Sequence, residues 1–136
     1  MRFPGLPEDH SKLILDTFTP SYRYIQLEDE DFIRIYGLTV FVDELIMRKS
    51  LDTYFKICGG VKQKILVDPT LEIGMSSGAR NMLRKEVPLM TTSMALMTTN
   101  PFTQLTANLF LKIRNDNFKV RLFRDHEKAV SWLKEQ

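Results

Sequence analysis

The chain has 136 residues, 43% hydrophobic and 26% charged, with a formal net charge of +2 at pH 7. That is enough chain for one domain with a real core, and the composition excludes the disordered and collagenous classes. The lone cysteine, Cys58, excludes an internal disulfide framework and fits a reducing compartment. With Glu8 and Asp9 near the start, no signal-peptide core and no run of the roughly 20 apolar residues that span a bilayer, the expected location is cytoplasmic.

Residues 1–21 read as an arm, loosened by Pro4, Gly5 and Pro7, with a possible first strand over 12–18 that Pro20 ends. Residues 22–136 read as a single α/β domain. Tyr22, Tyr24 and Gln26 alternate with Arg23, Ile25 and Leu27, and Phe32, Arg34 and Tyr36 with Ile33 and Ile35. Joined by the acidic run Glu28-Asp29-Glu30-Asp31, these two strands make a hairpin with a solvated turn. Met47, Leu51, Tyr54, Phe55 and Cys58 fall on one helical stripe, so a helix is expected over 43–58, stopped by Gly59-Gly60. The apolar quartet Leu38, Phe41, Val42 and Leu45 lies too far round to share that face. Residues 38–42 are therefore expected to be a connection packed on the sheet.

Beyond residue 60 short apolar runs alternate with helical periods. Strands are expected at 64–67, 93–98 and 120–123, and helices at 76–87, 102–113 and 125–135. This is the pattern of βαβ units around a largely parallel sheet. Phe102, Leu105, Leu109 and Ile113 form a stripe that Phe110 and Leu111 widen beyond one sheet contact. In the last helix Asp125 suits the N-cap, and Ala129, Val130 and Leu133 form a buried edge beside Trp132. The expected fold is thus a single α/β domain: about five strands, an antiparallel hairpin on a parallel core, and about four helices.

Catalytic signatures are missing from the sequence. His10 and His126 have no partner at metal-ligand spacing, Cys58 lies in an apolar stripe, and no GxSxG, P-loop, GxGxxG or HExxH occurs. The expectation is a protein that is not an enzyme and holds no cofactor or metal. Lys112, Arg114, Lys119, Arg121 and Arg124 are diluted by Asp116, Asp125 and Glu127 and read as a solvated face, so no nucleic-acid partner is expected.

The sharpest motif is Ser76-Ser77-Gly78 opening a helix. A hydroxyl there caps free backbone N–H groups, and the same place suits a phosphate, whose charge the helix dipole favours. The stretch Ile65-Leu66-Val67-Asp68, Leu71-Glu72-Ile73-Gly74-Met75-Ser76-Ser77-Gly78 and Leu83 resembles the centre of a STAS domain (sulphate transporter and anti-sigma-factor antagonist). There a buried strand leads to an Asp-Ser-Ser-Gly turn at a helix start. Asn108-Leu109-Phe110-Leu111-Lys112, Leu122-Phe123-Arg124-Asp125 and Ala129-Val130-Ser131-Trp132-Leu133-Lys134 resemble a group of small bacterial STAS-like proteins. The pattern departs at Met75, which stands where antagonist-type domains carry an acidic residue, and at Ala79-Arg80 in place of Leu-Gly.

The resemblance implies a non-enzymatic regulatory or protein-interaction module, with Ser77, and second Ser76, as phosphorylation candidates. The wide stripe implies self-association as a homodimer through Phe110, Leu111 or Trp132. The alternative is a small-molecule or lipid carrier with a pocket between sheet and helices at Met82, Met90, Met97 and Phe102.

Overall fold

A computed structural model describes residues 3, 5, 6, 10–98, 108 and 117–136. Among these, six strands form one mixed sheet in the order β1-β2-β3-β5-β7-β8. They are β1 (Leu13–Phe18), β2 (Tyr22–Leu27), β3 (Ile33–Gly37), β5 (Gln63–Asp68), β7 (Thr91–Met97) and β8 (Lys119–Phe123). The possible first strand is therefore real, and it pairs antiparallel with β2, which pairs antiparallel with β3. From β3 onward every pairing in the sheet is parallel, as the βα alternation requires.

Residues 38–42 are more than a connection. Phe41–Val42 forms β4, which pairs in parallel with β6 (Gly74–Met75) as a separate small ladder. A two-residue pairing carries no periodicity of its own, so only its long-range partner reveals it. Gly74 has φ 148, a backbone conformation that side-chain-bearing residues rarely adopt, so glycine suits this position.

Three α-helices occur among the described residues, against about four expected: α1 (Glu44–Cys58), α2 (Ser77–Glu86) and α3 (His126–Glu135). Of the expected helix over 102–113 only Asn108 is among the described residues, and it is helical. Each described helix has a side-chain cap: Asp43 accepts from the Ile46 N–H, Ser76 from Ala79 and Asp125 from Glu127. At the other end of α1, Gly59 takes the left-handed conformation.

The sheet is covered on both faces, which is why the apolar runs of its central strands, such as Ile65-Leu66-Val67 and Met94–Met97, do not alternate with polar residues. Ile33, Ile35, Ile65, Met94 and Leu96 face α1 and α2, packing on Met47, Leu51, Tyr54 and Ala79. Their alternates Phe32, Leu66, Ala95 and Met97 pack on Ala129 and Leu133 of α3. Phe3 covers a third cluster with Ile25, Leu27 and Tyr36. Every buried side-chain nitrogen and oxygen among the described residues has a hydrogen-bond partner.

One part of the hairpin turn is not solvated. Glu30 folds inward and holds the buried Arg34 through two bonds, at 2.8 and 2.7 Å. Arg34 also donates to the Gly5 carbonyl at 2.9 Å, pinning the arm to the sheet. A buried guanidinium needs such a partner, and Glu30 lies within reach across the turn.

Candidate functional site

The site is built where the parallel strands end. β5 stops at Asp68-Pro69, residues 70–73 cross the sheet end, and β6 delivers Ser76 as the N-cap of α2. The Ser76 backbone N–H donates to Val42 O at 2.9 Å, which fixes this turn on β4. Its Oγ accepts from the Ala79 N–H at 3.1 Å and donates to Glu44 Oε1 at 2.5 Å. Ser77, one residue on, is exposed. The two candidate serines thus separate in role: the Ser76 hydroxyl is engaged twice, while Ser77 faces solvent.

Glu44 comes from the first turn of α1, and its carboxylate lies against Gly78 so closely that a Cβ at that position would collide with it. A carboxylate at the positive end of α2 is favourable electrostatically. Met75, where the STAS pattern has an acid, is buried in the core. The carboxylate beside the serines is nevertheless present, supplied through space from a residue 32 positions earlier. The sequence holds no local sign of this, because the pairing exists only once β4 and β6 are joined.

Around the turn lie three large apolar side chains exposed to solvent: Phe41 (54%), Leu45 (68%) and Ile73 (56%). Phe41 belongs to the β4–β6 ladder, Ile73 directly precedes β6, and Leu45 follows Glu44. Apolar surface grouped in this way marks a contact region more often than scattered single residues do.

Behind the turn is a cavity of about 60 Å³ between the sheet and α1–α2. Tyr22, Tyr24, Ser50, Tyr54, Glu72 and Met94 are among its lining residues. The expected methionines do not line it. Met82 and Met90 pack at the margin of the core, and Met97 lies on the opposite face of the sheet under α3, because side chains alternate along β7. Phe102 is outside the described residues. Burial, with the charge of Asp68 adding to it, pushes the Glu72 carboxyl up to about 7 against an opposing hydrogen bond from Tyr22. Burial likewise raises the Tyr22 phenol and the Cys58 thiol, which leaves Cys58 a poor nucleophile.

Asp68, at the end of β5, is buried and its Oδ2 lies 2.7 Å from Nε2 of His126. Burial alone would raise Asp68, but His126 and the hydrogen bonds from Thr70 hold it below the ordinary carboxylate value. His126 therefore has a partner after all, at a sequence distance that no local spacing rule detects. Trp132 is half-buried with its ring centroid 5.7 Å from that of Phe123. Phe110 and Leu111 lie outside the described residues. Among the described residues no group of His, Cys, Asp and Glu is placed to hold a metal ion, and no helix is long and apolar enough to cross a membrane.

Comparison with known proteins agrees with this architecture. Residues 26–136 match the model of a family described as a domain of unknown function, DUF7793. No curated protein matches. Among solved structures, the chain is similar to an uncharacterised DUF3478-family protein with a SpoIIAA-like fold from Shewanella loihica PV-4. That likeness has 13% identity and a TM-score of 0.63, and covers 83% of this chain and 92% of the other.

Proposed function

The chain belongs to the DUF7793 family and has a SpoIIAA-like, STAS-like fold, and we propose that it acts as a non-enzymatic protein-interaction module. Its working face is the end of the molecule where β4–β6 meets the N-termini of α1 and α2. The observation that carries this reading is the exposed trio Phe41, Leu45 and Ile73 around an exposed Ser77. Ser77 is the modification point. Phosphate there would add about two negative charges beside Glu44, enough to turn an apolar contact into a repelled one.

Self-association across the Trp132 edge belongs to the same reading, and sedimentation at micromolar concentration separates dimer from monomer. The carrier alternative is less well supported, because a cavity of about 60 Å³ is far below the roughly 300 Å³ at which small-molecule pockets begin.

The test is photo-crosslinking in the native host with a photoreactive residue at position 45 or 73, and at Val61, also exposed, as control. One protein captured at both test positions and not at 61 supports the reading. Equal capture at all three, or none, contradicts it.

A further inference from the structure

Glu72 sits on the segment 69–73 that joins β5 to β6, four residues before the Ser76 cap. Its side chain closes over Gly37, where a Cβ would collide with it, and it reaches the cavity beneath α1 and α2. The Tyr22 phenol of β2 shares a hydrogen bond with its carboxyl. We propose that Glu72 is a proton-operated latch: protonated, it holds segment 69–75 down on the sheet; ionised, it leaves the cavity and frees that segment.

The geometry supplies the reason. The titratable groups facing this carboxyl are Tyr22 and, behind it, Tyr24 of β2, Asp68 at the end of β5, and Tyr54 of α1 across the cavity. The α2 residues that line the cavity are apolar, with Leu83 foremost. His126 is turned to Asp68. Among the described residues no lysine or arginine lines the cavity, so an ionised Glu72 meets no compensating cation there. A half-buried carboxylate against an apolar cavity with no cation beside it is costly, and the cheaper course is for a loop residue to swing into water. Burial places this proton's release near neutral pH, at about 7.

Segment 69–75 carries Ile73 and leads directly into Ser76-Ser77, so release of the latch would rearrange the working face; this consequence rests on the reading proposed above. The latch itself does not, and it is tested without a partner. Amide hydrogen exchange of residues 69–77, corrected for intrinsic rates, is compared in the full chain and in Glu72→Gln between about pH 6 and about pH 8. Wild-type protection should fall by up to roughly tenfold per pH unit as pH rises toward 7 and level off above it, while Glu72→Gln stays protected throughout. Equal, pH-independent protection in both proteins overturns the latch. Should Glu72→Gln fail to fold, the carbon-13 shift of the Glu72 carboxyl decides in the wild type. A midpoint near 7 that tracks the amide shifts of 69–77 supports the latch, and an ordinary carboxylate midpoint overturns it. If exchange behaves as expected but partner binding ignores pH, the latch stands and the docking face is misplaced.

Discussion

Nε2 of His126 lies 2.7 Å from Oδ2 of Asp68, tying the first turn of α3 to the last residue of β5 across 58 positions of sequence. This one contact joins the helix on one face of the sheet to the strand end from which the serine-bearing segment departs. His126→Ala should cost about 1–3 kcal/mol of stability, since it leaves a buried carboxylate short of a partner. Urea denaturation measures this, and a loss under about 0.5 kcal/mol, the range of ordinary surface substitutions, would mean that the pair contributes nothing.

The same carboxylate sets an acid limit. Asp68 is held below its ordinary value of 3.8, so its contribution is present above that value and lost as pH falls through the depressed one. Wild type should therefore lose thermal stability on acidification below about pH 4 more steeply than Asp68→Asn. Parallel Tm profiles for the two proteins would contradict this.

The methionines separate by face. Met97→Ala removes a fully buried side chain under α3 and should cost about 2–5 kcal/mol. Met82, only partly buried at the margin, should cost about 1 kcal/mol or less when truncated. Chemical denaturation of both variants checks the order, and a reversed order would place the core on the wrong side of β7.

The paired serines give a matching contrast. Ser76→Ala loses the cap on Ala79 and the bond to Glu44 and should cost about 1 kcal/mol. Ser77→Ala should fall within about 0.5 kcal/mol of wild type, as an exposed position does. Equal losses in thermal unfolding would show that the roles have been exchanged.

Most of the architecture is legible in the sequence. The alternation in Tyr22–Leu27, the stripe through Met47 and Cys58, and the short apolar runs of β5, β7 and β8 are local patterns of burial, and local patterns survive as periodicity. The caps Ser76 and Asp125 are equally local. What the sequence does not disclose is partnership across distance. Glu44 beside Ser76, His126 on Asp68 and Glu72 over Gly37 join residues 32, 58 and 35 positions apart (72 − 37 for the last), and no spacing rule links them. The methionine pocket fails for a related reason. A methionine suits any irregular apolar gap, so its presence does not say which side of a sheet it fills.

The central claim is that the end of the molecule carrying Phe41, Leu45, Ile73 and Ser77 is the surface that meets a protein partner. Its most direct test is calorimetric titration of the partner captured by crosslinking against the wild type, Leu45→Asp and Ser77→Asp, each first shown to unfold at the wild-type temperature. The account predicts that both substitutions weaken binding at least about tenfold, or about 1.4 kcal/mol. Wild-type affinity in both folded variants would contradict it and move the interaction surface elsewhere.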